Sequence, residues 1–311
     1  MKLVFFGSSD FSIPVLDALV RSRHSVDLIV TTPPQKKGRG RKESESRVAD
    51  WASEHRLVCA ALPLLTDRKF LTELSAIRAD CFVVASYGKM LPGPVLKIPL
   101  KYPLNVHPSL LPKYRGAAPI QCQLLSDEHE TGVSIAKITS KLDAGEILLQ
   151  KKIPILETDD AISLSEKLSA LGGELVLDAL DKIEHNEARF TPQDDARATY
   201  AAKLTKAMGK IDWSKNAKEI QNQIRAFTPW PSAYAFWKNK RIKMLKSELV
   251  TGLRESHAPG TILKIDPKGL MLIQATGGAI LVSRLQPESG KAMDPYSFSL
   301  GYQIKAGDRW A

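Results

Sequence analysis

Cysteine is scarce in this chain: Cys59, Cys81 and Cys122 are the only three in 311 residues, odd in number and scattered. That pattern offers no disulfide framework and no metal knuckle. No His, Cys and Asp residues fall at metal-ligand spacing, so a metal-activated water is not expected. No apolar run approaches the roughly 18–20 residues needed to span a membrane. A leader pattern is also missing, since Met1-Lys2 runs straight into Leu3-Val4-Phe5-Phe6-Gly7, and the cytoplasm is the expected compartment. The turn after that first apolar run, Gly7-Ser8-Ser9-Asp10-Phe11-Ser12, lacks the Gly-x-Gly-x-x-Gly spacing, so no dinucleotide cofactor is indicated. Nor does any Ser or Cys sit on a nucleophile elbow, which argues against a covalent acyl-enzyme.

Acidic residues are what the last third lacks. Residues 1–199 carry 26 Lys+Arg against 26 Asp+Glu, whereas residues 200–311 carry 18 against 8, so the whole net charge of +10 lies there. A neutral body with a basic final third suggests a polyanionic partner for that third. A second concentration of charge is Lys36-Lys37-Gly38-Arg39-Gly40-Arg41-Lys42, five cations in seven positions after Pro33-Pro34. It reads as a mobile surface loop whose glycines let the backbone approach a phosphate.

The rest of the chain has ordinary soluble composition and is long enough for two domains. Leu3–Phe6 and Val26–Val30 read as strands around a helix that Ser12 caps and Pro14 opens, a right-handed crossover unit with parallel strands. Helices are expected at Arg47–His55, Arg68–Ile77, Ile120–Leu125 and Asp160–Ile183, and strands at Asp80–Ala85, Tyr102–Val106, Gly132–Ile138 and Glu146–Ile155. Together they make an α/β domain with a Rossmann-like parallel sheet over residues 1–189. A polar stretch over 190–208 reads as a linker. Beyond it come a helix at Ala217–Phe227 and five short strands, Ala233–Trp237, Arg241–Val250, Gly260–Lys264, Leu270–Gln274 and Ile280–Leu285. Residues 209–311 thus read as a small basic OB-like β-barrel, a type that commonly binds nucleic acid.

One stretch concentrates the chemistry: Asn105-Val106-His107-Pro108-Ser109-Leu110-Leu111-Pro112-Lys113-Tyr114-Arg115-Gly116-Ala117-Ala118-Pro119-Ile120. If Tyr102–Val106 is a strand, Asn105 and His107 share a face at its carboxyl end, where open α/β sheets place their sites. An Asn amide can donate to an oxygen that becomes negative as a carbonyl is attacked, and His107 can add a donor or move a proton. Asp143, in the turn Lys141-Leu142-Asp143-Ala144-Gly145, is the candidate orienting carboxylate. On spacing alone, a structural role for Asn105 and His107 stays open.

The same stretch resembles the signature of the formyltransferases that use 10-formyltetrahydrofolate, and Leu142-Asp143-Ala144-Gly145 resembles their second signature. The resemblance runs the length of the chain and is specifically to members acting on methionyl initiator tRNA. Phe6-Gly7-Ser8-Ser9-Asp10-Phe11, the basic insertion at Gly38-Arg39-Gly40, Ile211-Asp212-Trp213 and Arg225-Ala226-Phe227-Thr228-Pro229-Trp230-Pro231 carry it outside the site. Three positions depart from the common pattern: Ser9 where proline is frequent, Cys122 where tryptophan is frequent, and the run Glu43-Ser44-Glu45-Ser46.

The resemblance implies formyl transfer to the α-amino group of methionine on initiator tRNA, for translation initiation, with no metal. Asn105 and His107 would stabilise the oxyanion, and Asp143 would orient His107 and help take the amine proton through water. Ser109, Leu110, Leu111 and Pro112, with Tyr87 and Gly88, would hold the folate. Lys36, Lys37, Arg39, Arg41 and Lys42, then Lys203, Lys206 and Lys210, would contact the tRNA, while Trp230 and Trp237 are either base-stacking or core residues. A monomer is expected. Two other readings use the same residues: a formyltransferase acting on a small amine such as an amino sugar nucleotide, and a non-catalytic RNA-binding relative. The basic third argues against the former, and the presence of Asn105, His107 and Asp143 together argues against the latter.

Overall fold

The computed structural model describes residues 1–37, 42–253 and 257–311. Two compact units emerge. The first comprises Met1–Pro119, Glu130–Pro154 and Ser165–Ala201, and the second Ile120–His129, Ile155–Leu164 and Ala202–Ala311.

The first unit begins with β1 (Lys2–Gly7), α1 (Ser12–Val20) and β2 (Ser25–Thr31), with β1 and β2 parallel. Leu3, Val4, Phe5 and Phe6 are all fully buried, which is why β1 shows no alternation: both faces of a parallel sheet are covered. Ser12 opens α1 but does not cap it. Its hydroxyl accepts from the Ser8 and Ser9 amides and donates to the Ala85 carbonyl at 2.6 Å, tying the first turn to a neighbouring strand. The basic stretch is more ordered at its base than expected of a loop, because β3 (Gln35–Lys37) pairs antiparallel with β4 (Lys42–Ser44). Arg39 and Arg41 lie outside the described residues. Ser46 then caps α2 (Arg47–Glu54) by accepting from the Ala49 amide, and its hydroxyl meets that of Thr31 at 2.6 Å.

The chain continues through β5 (Cys59–Ala61), α3 (Arg68–Ala76), β6 (Cys81–Ala85), a short α4 (Gly93–Leu96) and β7 (Tyr102–His107). After β8 (Arg115–Gly116) and α5 (Pro119–Leu125) come β9 (Glu130–Lys137), β10 (Ile147–Pro154), the 24-residue α6 (Ala161–Glu184) and β11 (Tyr200–Ala201). Seven strands form one sheet in the order β10-β9-β7-β6-β1-β2-β5. Strands β5, β2, β1, β6 and β7 are mutually parallel, whereas β9 and β10 run antiparallel to their neighbours. The chain winds outward from β1 through β2 to β5 and returns on the other side of β1 at β6. That reversal creates a crevice at the carboxyl ends of β1 and β6, the usual ligand position in such sheets.

Most of the stretch expected as a linker is tied to the first unit. Thr191 and Ile147 exchange backbone hydrogen bonds, and β11 pairs parallel with β8.

The second unit contains α7 (Ala217–Ala226), β12 (Ala233–Trp237), β13 (Lys240–Val250), β14 (Ile262–Asp266), β15 (Leu270–Ala275), β16 (Gly278–Pro287) and α8 (Pro295–Tyr302). Its sheet runs β12-β13-β16-β15-β14, antiparallel throughout. No ladder joins β12 to β14 among the described residues, so the expected barrel is not closed by strand pairing. Instead residues 307–311 exchange backbone hydrogen bonds with Gly260 and Ile262 on one side and Phe236 on the other. Helix α7 starts with a capping box between Asn216 and Glu219 and buries Ile220 and Ile224 among Ile242, Met244, Ile273, Val282 and Phe298. Trp237 belongs to this core, edge-on to Trp310 at 5.8 Å, while Trp230 is 49% exposed.

The polar side of α7 carries a buried cation. Arg225 donates from Nε to Asn222 Oδ1 at 2.9 Å and from Nη1 to the Leu156 and Asp159 carbonyls at 3.3 Å, with Asp127 at 3.5 Å. Burial draws the guanidinium pKa down, and the Glu157, Asp127 and Asp159 carboxylates oppose that. Replacing Arg225 with Met leaves two carbonyls and a carboxylate without this partner, and should cost about 3–5 kcal/mol in urea unfolding. Asp127 is pushed upward by burial, but the Asn222 hydrogen bond and the Lys218 and Arg225 charges outweigh that and hold its pKa below the ordinary value. Its contribution to stability is therefore present above the ordinary carboxylate value of about 3.9 and is lost as pH falls below it. Asp127→Asn should flatten that acid limb of a urea-midpoint profile.

Candidate active site

The residue pattern at the end of β7 places two polar side chains on one face. Register pairs Asn105 with Val84 of β6 and Ala136 of β9, and His107 with Ser134. Asn105 is half-buried and His107 is buried. Asp143 comes to them from the turn between β9 and β10. Its Oδ1 accepts from Asn105 Nδ2 at 3.0 Å and its Oδ2 accepts from the Gly116 amide at 2.9 Å. His107 Nδ1 lies 3.7 Å from that same Oδ2, and the other ring nitrogen, Nε2, is 3.0 Å from the Tyr114 carbonyl. A carbonyl only accepts, so Nε2 carries a hydrogen and Nδ1 is the edge that can exchange a proton toward Asp143. The three expected catalytic side chains thus form one polar group, with Asp143 at its centre.

The backbone around Asp143 is specialised. Asp143 itself sits in the left-handed region at φ 47°, a conformation that costs an L-residue about 1 kcal/mol or more. A Cβ at Gly145 would stand 1.9 Å from the Lys137 carbonyl oxygen, so this turn closes only with glycine there. Gly116, at φ 123°, would place a Cβ 2.5 Å from the Ala201 carbonyl. Gly145→Ala should displace the turn and lower turnover by about a hundredfold, since misplacing a reacting group by about 1 Å has that effect; steady-state kcat beside a thermal melt reads it.

The turn Ser109–Pro112 is braced from beneath. Ser134 Oγ donates to the Ser109 carbonyl at 2.6 Å and accepts from the Leu111 amide at 3.1 Å, while Gln150 Nε2 donates to the Leu111 carbonyl at 2.8 Å. Ser109 and Leu111 are buried, Leu110 is half-exposed, and the Leu111–Pro112 peptide is cis. Of the expected folate residues in this turn, Leu110 and Pro112, both half-exposed, are therefore the more available side chains. Ser134 and Gln150 escaped sequence reasoning because their positions in β9 and β10 carry no motif.

Tyr87 and Gly88 fall elsewhere on the sheet edge. A cleft of about 290 Å³ at the β1/β6 crevice is lined by Ser8, Ser9, Thr32, Ser46, Ser86, Tyr87, Gly88 and others. Asn105, His107 and Asp143 are not among its lining residues. The Tyr87 ring is buried edge-on against Phe6 at 5.7 Å, and burial pushes its phenol up to about 12. Gly88 is exposed at φ 79°, with open space where a side chain would start. Ser9, one of the departures from the family pattern, has its hydroxyl buried in this cleft without a partner among the described residues.

Lys203, Lys206 and Lys210 are all exposed and belong to the second unit. Of Lys36, Lys37 and Lys42 the structure describes the backbone, as the paired bases of β3 and β4. Burial pushes the Cys59 and Cys81 thiols to about 11 and raises Cys122 as well, which disfavours the thiolate a cysteine nucleophile needs. Among the described residues no three His, Cys, Asp or Glu side chains are grouped as metal ligands, and no helix is long and apolar enough to cross a membrane.

Comparison with known proteins bears on both units. Residues 1–180 match the family described as formyl transferase, and residues 203–303 match its C-terminal domain. A methionyl-tRNA formyltransferase of Sulfurihydrogenibium is 39% identical over 311 residues, covering 100% of both chains. Among solved structures, HypX from Aquifex aeolicus in complex with tetrahydrofolic acid superposes with a TM-score of 0.69 at 15% identity, over 100% of this chain and 50% of that one. An N-formyltransferase from Helicobacter canadensis, in complex with folinic acid and dTDP-3-aminofucose, superposes at 0.64 with 21% identity, over 91% and 98%. At those identities the solved structures establish the fold alone, whereas the full-length match in sequence reaches further: this chain belongs to the formyl transferase family, among the methionyl-tRNA formyltransferases.

Proposed function

We propose that this chain transfers the formyl group of 10-formyltetrahydrofolate to the free α-amino group of methionyl initiator tRNA, giving N-formylmethionyl-tRNA for translation initiation. The observation that carries the reading is the joining of Asn105, His107 and Asp143 through one carboxylate, in a chain alike over its whole length to enzymes of that name. The amine nitrogen forms a bond to the formyl carbon, giving a tetrahedral intermediate that collapses as the bond from that carbon to the folate nitrogen breaks. As the carbonyl oxygen becomes negative, the Asn105 amide, with one N–H held by Asp143, donates its other N–H to it. The proton lost by the amine passes through water to the His107–Asp143 pair and returns to the leaving nitrogen.

The formyl donor fits the residues at hand. Leu110 offers an apolar face, and the exposed Ser86 and Gly88 offer backbone groups for a pterin. We assign catalysis to residues 1–189, the connection to 190–208 and tRNA binding to 209–311, together with the β3–β4 arm and its cations. Lys203, Lys206 and Lys210 carry the track of charge in the second unit, and the chain acts as a cytoplasmic monomer.

The test supplies methionyl-tRNA, an amino sugar nucleotide and 10-formyltetrahydrofolate labelled in the formyl group. Label released from tRNA by mild base as N-formylmethionine is the expected result. Label confined to the sugar amine, or absent from both acceptors, overturns the proposal.

A further inference from the structure

Gln193 lies in the stretch that composition marks as a linker, yet its amide joins the two backbone segments that hold Asp143. Nε2 donates to the Asp143 carbonyl at 2.8 Å and to the Gly145 carbonyl at 2.6 Å. Oε1 accepts from Arg115 Nε at 3.0 Å and Nη2 at 2.8 Å. Two donated and two accepted bonds exhaust what a primary amide can make, and the partners fix which end is nitrogen. Arg115 is only 3% exposed, and its Nη2 also donates to Asp195 at 2.7 Å. The next residue in the chain is Gly116, whose amide donates to the Asp143 carboxylate.

These bonds close a ring. It runs from the Asp143 carboxylate to the Gly116 amide, through Arg115 to Gln193, and back to the Asp143 carbonyl. We propose that Gln193 is a positioning residue for the transfer reaction, holding the Asp143 carboxylate in place from both sides. The local need is plain, because Asp143 keeps a left-handed backbone that two carbonyl anchors oppose relaxing. Gln193 is itself fixed, since Thr191 bridges to Ile147 two residues earlier and β11 pairs with β8 seven residues later. A ring of hydrogen-bonded polar groups, with the Gln193 amide fully satisfied, acts as one unit, so loosening any member moves the carboxylate.

The catalytic part of this inference rests on the function proposed above, so its test includes a readout needing no substrate. Gln193→Met keeps the length and removes all four bonds. Gln193→Glu keeps an acceptor for Arg115, and with it the fold, but cannot donate to the two carbonyls. Both variants should lose about tenfold to a hundredfold in kcat, the scale of an ångström-level misplacement, with KM for both substrates within about twofold. In the substrate-free chain, the Gly116 amide proton, held downfield by its bond to a carboxylate, should move upfield and exchange faster in both variants. Combined with Asp143→Asn, Gln193→Met should lower kcat by less than about twofold further, because coupled residues are not additive. Wild-type kcat in Gln193→Glu, a loss confined to KM, an unmoved Gly116 resonance or full additivity with Asp143→Asn each overturns the proposal. If the wild-type chain formylates no tRNA, the functional reading fails, and the Gly116 resonance still decides whether Gln193 holds Asp143.

Discussion

Asp143→Asn should lower the single-turnover rate of formyl transfer by about a thousandfold, within the range typical of lost acid–base function, while tRNA affinity stays within about twofold. The Asp143 carboxylate accepts from two donors, Asn105 Nδ2 and the Gly116 amide, and lies beside His107. An asparagine has one oxygen for two donors, so its own NH₂ must face another N–H group. The substitution also removes the negative charge 3.7 Å from His107 Nδ1. Shape is preserved, which separates this effect from loss of fold. His107→Ala should fall by a similar factor, and the double variant by little more, since the pair acts as a unit. Rapid-quench measurement with labelled formyl donor gives the rate, and filter binding gives tRNA affinity. Near-normal transfer in either single variant would remove the mechanism.

The second large effect is expected on salt dependence. Changing Lys203, Lys206 and Lys210 together to Gln should weaken tRNA binding and reduce the slope of log affinity against log salt by about 2, at roughly 0.7–0.9 for each phosphate no longer neutralised. All three side chains are exposed, with only Lys210 Nζ over a ring, that of Phe236 at 5.9 Å, and kcat at saturating tRNA should hold. An unchanged slope would assign the phosphates to other cations. Point substitution is preferable to deleting residues 206–311, because the second unit also includes Ile120–His129 and Ile155–Leu164. Removing the C-terminal stretch would take Arg225 away from the Leu156 and Asp159 carbonyls and from Asp127.

Several features were legible before any coordinates. The apolar run of β1, the 24-residue α6 and the five strands of the second unit follow from patterns a few residues long. Helix α8 escaped because Pro295–Tyr302 mixes Phe298 with serines and a glycine, and its burial comes from packing against the sheet rather than from periodicity. The expected cap at Ser12 also went differently. Its hydroxyl is drawn to Ala85, which lies on a strand 73 residues away in the chain.

The residue types assigned to the chemistry, and the charge proposed to meet a polyanion, were set by the sequence alone. Asn105 and His107 share a face because a strand alternates, and the excess of cations after residue 200 is a matter of counting. What only the tertiary structure decided is how those residues come together. The carboxylate of Asp143 reaches the strand end from a turn 38 residues from Asn105. Ser134 and Gln150 brace the Ser109–Pro112 turn from two further strands, and Gln193, in a stretch that looks like a connector, anchors the Asp143 turn. Local patterns report the period of an element and the face it buries. A polar side chain satisfied by a distant carbonyl leaves no period, because its partner is chosen by the fold and not by its neighbours in the chain.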